Sequence, residues 1–238
     1  MITLRDLILR RKSTRREKLR IALWCVSMTK VIEIRGCRIG EGMPKICVPV
    51  TGRTEGEIFR QIKDVVAASP DLVEWRADFF ERVQEREQVH TLFAELRNYL
   101  GEMPLLFTVR TRQEGGALAV TPDRYENILT EAADSGLVDL VDVEVMQDLG
   151  RAARLIEALH QRGVTVIGSN HHFQETPDSL AMEQILTDME RTGADILKLA
   201  VMPSTAKEVL RLLTVTENYR WRTERPLITM SMGALGVV

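Results

Sequence analysis

The chain has 238 residues, 45% hydrophobic and 28% charged, with a formal net charge of -2, the profile of a soluble globular protein long enough for one large core. No stretch approaches the ~20 apolar residues of a membrane span, which excludes a helical integral membrane protein. Three cysteines, Cys25, Cys37 and Cys47, form no C-x-x-C pair, which argues against a secreted disulfide framework and for small, buried, reduced thiols in a cytoplasmic protein.

Charge is concentrated at the start. Residues 1–27 carry eight Lys/Arg against Asp6 and Glu17, a local +6. Such an arm suits an acidic partner or an organelle-targeting peptide, but its apolar stretch at 21–26 is too short for a secretory core and Met28 offers an alternative start. Residues 1–27 are therefore expected to be a flexible basic extension with no assigned function, and 28–238 a single domain. Neither a nucleic-acid nor a membrane partner is expected.

A hairpin is predicted over Val31–Ile39, with Gly36 and Gly40 as turn residues. Beyond it, short β-branched runs alternate with amphipathic helical stretches, the signature of βα units around a parallel sheet. The predicted strands are Ile46–Val50, Leu72–Trp75, Leu105–Val109, Leu140–Val145, Thr165–Ser169, Ile196–Val201 and Leu227–Met232. Pro122-Asp123 opens one helix, and Gly136, Gly163 and Gly193 close others. Nucleotide fingerprints such as G-x-G-x-x-G are absent. Polar residues instead gather at the carboxyl ends of several strands: Glu74, Arg76 and Asp78, then Arg110 and Glu114, then Asp142 and Glu144, then His171 and His172, then Lys198 and Ser231. That is the active-site face of a TIM (β/α)8 barrel.

Lys198 is the only charge in the run from Ile196 to Pro203. Pointing inward, its ammonium would be desolvated and its pKa lowered, giving an amine suited to imine formation with a carbonyl. Pointing outward, it would snorkel to water. His171-His172 invites a metal reading, but no H-E-x-x-H is present and the cysteines lie far upstream, so no metal is expected. His90 and His160 fall in predicted helices as surface or boundary residues.

Six motifs in order, Glu74-Trp75-Arg76-Ala77-Asp78, Phe107-Thr108-Val109-Arg110, Glu114-Gly115-Gly116, Ser169-Asn170-His171, Lys198 through Pro203, and Thr229-Met230-Ser231-Met232-Gly233, resemble type I 3-dehydroquinate dehydratase from about Lys30 onward. The resemblance implies a dimeric (β/α)8 barrel without metal or organic cofactor, dehydrating 3-dehydroquinate to 3-dehydroshikimate in the shikimate pathway. By it, Lys198 forms the Schiff base and His171 is the general acid/base of a syn elimination. Glu114 sits beside the histidine and favours the imidazolium, and Asp142 is a second orienting carboxylate behind it. Glu74, Arg76 and Arg110 bind the polyol edge of the substrate, and Met230 and Met232 form an apolar wall. The family usually carries an aspartate where this chain has His172.

The family pattern also continues past Val238 with an eighth strand, a covering loop and last helices. The expected fold is thus a TIM barrel lacking its eighth strand and final helices, behind an N-terminal hairpin, with its first and seventh strands unpaired at their outer edges. Two alternatives to a working dehydratase stand beside this reading: an inactive truncated relative or fragment, and a class I aldolase-type Schiff-base enzyme acting on sugar phosphates.

Overall fold

The computed structural model describes residues 29–236; the basic extension expected over 1–27 lies outside them. The first element is the expected hairpin, β1 (Ile32–Ile34) against β2 (Cys37–Ile39), paired Ile32 to Ile39 and Ile34 to Cys37. Arg35 and Gly36 turn it with φ of 47° and 79°, the positive values that match the twist of paired strands.

Six βα repeats and a last strand follow: β3 (Cys47–Val50), α1 (Glu55–Ala68), β4 (Leu72–Arg76), α2 (Arg86–Leu100), β5 (Leu105–Thr108), α3 (Pro122–Asp134), β6 (Leu140–Glu144), α4 (Leu149–His160), β7 (Thr165–His172), α5 (Ser179–Arg191), β8 (Ile196–Val201), α6 (Ala206–Tyr219) and β9 (Leu227–Ser231). Local chemistry sets the helix starts. The side chains of Thr54, Thr121, Asp148, Asp178 and Thr205 each accept a backbone N–H of the first turn, satisfying donors that a helix leaves orphaned. Pro122 adds a preset φ at the start of α3.

All seven strands from β3 to β9 pair in parallel and in sequence order, so the sheet curls as the wall of a TIM-like barrel. Among the described residues β3 and β9 pair on one side only, and both are partly exposed while β5, β6 and β8 are buried throughout.

Two apolar layers follow from the period-two alternation of strands. Outward-facing Val73, Trp75, Phe107, Val141, Val143, Leu197 and Leu199 pack against the helices. Inward-facing Leu72, Leu106, Leu140, Ile167 and Ile196 meet Ile32, Ile34 and Ile39, so the hairpin plugs the amino-terminal end of the barrel. Arg35 ties it there, 2.6 Å from Asp139 and 3.2 Å from Glu102.

Trp75 anchors the outer layer, fully buried, with ring centroids 5.2 Å from Phe93 and 5.4 Å from Phe107. Trp75→Ala is expected to cost about 3–5 kcal/mol in urea unfolding, the cavity term adding to the lost transfer energy. A loss below about 1 kcal/mol would contradict this packing.

The structure departs from the sequence expectations in identifiable ways. β7 runs to His172 rather than ending at Ser169, because β8 pairs along its whole length, His171 to Ala200 and His172 to Val201. Both histidines therefore belong to a strand. Cys47 is exposed and Cys37 half-buried rather than core residues, since one lies on the open edge strand and the other in the hairpin. Among the described residues no helix is long and apolar enough to cross a membrane.

Candidate active site

Above the apolar plug the inward positions turn polar. Strand alternation that sends Ile196 and Leu140 into the plug also sends Lys198 and Asp142 inward one layer higher, which settles the side on which Lys198 stands. Its ammonium, in a residue only 9% exposed, donates to Asp142 Oδ2 at 3.0 Å and lies 3.7 Å from Glu74 Oε1. Thr108 Oγ1 donates to the same oxygen of Glu74 at 2.7 Å. Asp142 Oδ1 accepts from Arg110 Nη2 at 2.8 Å and from Ser169 Oγ at 2.5 Å.

One hydrogen-bonded layer thus spans five strands, and Arg110 is its hub. Its Nη1 donates to Glu144 Oε1 at 3.0 Å and Ser169 Oγ at 3.1 Å, and lies 3.7 Å from Glu114 Oε2. With its guanidinium 3% exposed, Arg110 gathers the acids of the site around one cation.

Glu114 reaches the cluster from a 3-10 turn, Arg112–Glu114, after β5. Its Oε2 is 2.9 Å from His171 Nδ1, and its Oε1 accepts from Asn170 Nδ2 at 3.1 Å. The turn is shaped by two glycines. Gly115 has φ of 76° and faces the Phe173 ring, and a Cβ on Gly116 would lie 1.9 Å from the Arg110 carbonyl oxygen, which no side chain can meet. Asp78 braces the same turn by accepting the N–H groups of Arg110 at 3.2 Å and Ala117 at 3.0 Å.

The strand geometry separates the histidines. His171 faces inward to Glu114, while His172 points away, 3.9 Å from Glu175. Asp142, expected behind the imidazole, is hydrogen-bonded to Lys198, Arg110 and Ser169 instead. Arg76 is held bidentately by Asp78 at 2.8 and 3.0 Å. Met230, 45% exposed, stands on edge strand β9 opposite Ala200, and the N–H of Met232 donates to the Val201 carbonyl. Glu74, Arg110, Glu114, Asp142, His171 and Lys198 thus form one network; Arg76 bears on the charge of His171, and Met230 and Met232 stand at the end of β9 and just past it.

Electrostatics revise two sequence expectations. Burial alone lowers the Lys198 pKa, but Asp142 and Glu74 together raise it by more, so the ligand-free site holds an ammonium. Burial drives His171 down to about 2, helped by the cations Arg110, Lys198 and Arg76; the imidazole is neutral. Burial and then Glu144 push Glu114 up to about 8, so it supplies little negative charge to favour an imidazolium. Asp142 goes the other way. Burial opposes its ionisation, yet Arg110 and Lys198 hold it well below the usual carboxylate range.

A buried lysine between two carboxylates, in one network with a neutral imidazole on a hydrogen-bonded acid, is an arrangement that can carry carbonyl condensation and proton transfer. Comparison with known proteins gives the family. The sequence profile of type I 3-dehydroquinase matches residues 46–238. A 3-dehydroquinate dehydratase of Clostridioides difficile (strain 630) is 40% identical over 212 residues, 89% of this chain and 83% of that protein. One from Listeria monocytogenes serovar 1/2a is 42% identical over 211 residues, with the same coverage.

Solved structures give the same picture. The 3-dehydroquinate dehydratase of Geobacillus kaustophilus HTA426 superposes with a TM-score of 0.85 at 38% identity, covering 88% of this chain and 82% of that one. The type I enzyme from Clostridium difficile, described with covalently modified comenic acid, gives 0.85 at 40% identity, covering 88% of this chain and 83% of that one. With the barrel wall, the six motifs and these relatives in agreement, the chain belongs to the type I 3-dehydroquinase family, hydro-lyases of the shikimate pathway.

Proposed function

We propose that this chain dehydrates 3-dehydroquinate through an imine on Lys198, with His171 moving the protons. The observation that carries the reading is the Lys198 ammonium held 3.0 Å from Asp142 and 3.7 Å from Glu74. Those carboxylates disfavour the free amine, but they equally favour the protonated imine that replaces it, so the same preorganised field stabilises the cation before and after condensation.

Condensation begins when Lys198 gives up a proton, and neutral His171 is the acceptor at hand. The amine adds to the C3 ketone, His171 returns the proton to the carbinolamine hydroxyl, which leaves as water, and an iminium remains on Nζ with the imidazole neutral again. The electron pair of the C2–H bond then delocalises as an enamine when His171 takes that proton. Return of a proton from the same imidazole to the C1 hydroxyl lets it leave as water, making the elimination syn. Hydrolysis of the product imine restores Lys198. Since Nδ1 is engaged with Glu114, Nε2 is the nitrogen left to shuttle protons, and it accepts one in the form in which Glu114 is ionised and the ring hydrogen sits on Nδ1.

Glu74, Arg76 and Arg110 are read as the polar side of the substrate site, Arg110 acting through the acids it orients, and Met230 and Met232 as its apolar wall. The reading carries with it a homodimer in the cytoplasm, a single domain over 28–238, and no nucleic-acid partner. The Clostridium difficile relative is described with covalently modified comenic acid, which is in keeping with covalent chemistry in the family.

Borohydride reduction tests the reading. Incubation with 3-dehydroquinate and borohydride is expected to add reduced product to Lys198, located by peptide mass spectrometry. An unmodified lysine in folded protein would point to the inactive-relative alternative, and turnover of a sugar phosphate alone to the aldolase alternative.

A further inference from the structure

Glu144 ends β6 with its side chain 1% exposed, and its hydrogen bonds reach neither Lys198 nor His171. Its carboxylate is nonetheless saturated. Oε1 accepts from Arg110 Nη1 at 3.0 Å and from the Thr111 N–H at 2.8 Å, and Oε2 from Thr111 Oγ1 at 2.6 Å and Gln147 Nε2 at 3.0 Å. Its own N–H donates to the Tyr125 hydroxyl at 2.9 Å. Four donors fix this group far more firmly than one ion pair does.

What Glu144 holds is the nitrogen that matters to its neighbour. Arg110 Nη1 is the atom lying 3.7 Å from Glu114 Oε2. A guanidinium released from Glu144 is free to close that gap and place a full cation on Glu114. Glu144 also opposes ionisation of Glu114 by its own negative charge, and both effects have the same sign. We propose that Glu144 is a positioning residue for the Glu114–His171 pair: it holds Arg110 off Glu114 and thereby decides which partner keeps their shared proton.

The proton's place has a chemical consequence. A protonated Glu114 donates to Nδ1 and leaves His171 with its hydrogen on Nε2; an ionised Glu114 accepts from Nδ1–H and leaves Nε2 bare, the basic form. Charged groups bearing on Glu114 are Arg110, just past β5, and Asp142 and Glu144 from β6, with Asn170 from β7 donating to it, while Arg110, Asp142, Lys198 from β8 and Arg76 from β4 bear on the imidazole. Within that set, Glu144 is the largest influence after burial keeping the proton on Glu114. Its bearing on catalysis rests on the imine reading above; its effect on the proton does not.

The test is a pH titration of the ligand-free protein with 15N-labelled histidine, following the His171 ring nitrogens by NMR. In Glu144→Gln the pH at which His171 changes tautomer is expected to fall by about one unit, the size of one closer charge–charge attraction at ε ≈ 20. In Gln147→Glu, an added negative charge at an exposed position beside Glu144, it is expected to rise by a few tenths of a unit. An unmoved or raised midpoint in folded Glu144→Gln overturns the proposal. If that variant does not fold, an unmoved or lowered midpoint in Gln147→Glu does so. Failure of borohydride to label Lys198 strikes the imine reading alone, and the midpoints still decide Glu144.

Discussion

Lys198→Met is expected to reduce turnover of 3-dehydroquinate by about 10^4-fold or more and to abolish borohydride labelling, because the step it removes is the covalent one on which the later proton transfer depends. The variant keeps an unbranched side chain of similar length in a layer where Lys198 is 9% exposed, so the barrel is expected to remain folded. Without the ammonium, Asp142 retains Arg110 and Ser169 as partners, and Glu74 retains Thr108. A direct assay of dehydration, with circular dichroism to certify folding, checks the result. Turnover within tenfold of the parent would exclude an essential imine. His171→Gln makes a useful companion: loss of an acid/base lowers the rate by about 10^2–10^4-fold while leaving the nucleophile in place, so slow covalent labelling should survive in it and not in Lys198→Met.

Arg110→Ala is expected to be the most destabilising single change at the site, by about 3–5 kcal/mol near neutral pH. Breaking a buried ion pair strands its partners without compensation, and here the partners are Asp142 at 2.8 Å and Glu144 at 3.0 Å, with Glu114 at 3.7 Å. The pH dependence gives the argument its sign. In the parent, Asp142 has a folded pKa below its unfolded value, so its contribution is present above the ordinary carboxylate range and is lost as pH falls through the depressed value. Glu114 is the reverse: its folded pKa is raised to about 8, and the stability it contributes below about pH 4 is lost as pH rises toward 8. Removing Arg110 shifts all three carboxyls upward. The penalty should therefore be largest near pH 8 and shrink toward pH 5, as measured by thermal melts across that interval. A penalty that grows on acidification would show that Arg110 is not their counter-charge.

Much of this was legible in the residues. The strand positions followed from β-branched runs, one helix start from Pro122-Asp123 and three helix ends from Gly136, Gly163 and Gly193, because such stop and start signals are local and need no tertiary partner. The six-motif spacing identified the family. What local pattern misjudged were features that depend on neighbours across the sheet. β7 extends to His172 because β8 offers it partners, and Cys47 is exposed because its strand is an edge. The roles of Ser169 and Asn170 carried no sequence signal beyond their membership of a motif, and those of Thr111 and Gln147 carried none; the inward alternation of Leu140, Asp142 and Glu144 was the one pattern able to suggest Glu144.

Charge states were the least accessible from sequence. Burial of Lys198 by itself argues for a lowered pKa, and Glu114 beside His171 argues for an imidazolium; the structure reverses both. The sequence by itself determined the architecture and the family and nominated the side chains proposed to react, since these rest on periodicity and motif spacing along the chain. Only the tertiary structure decided how those side chains share their protons. That balance is a sum of Coulomb terms over groups from five strands, each set by distances of about 3 Å between residues far apart in sequence, such as Lys198 and Asp142.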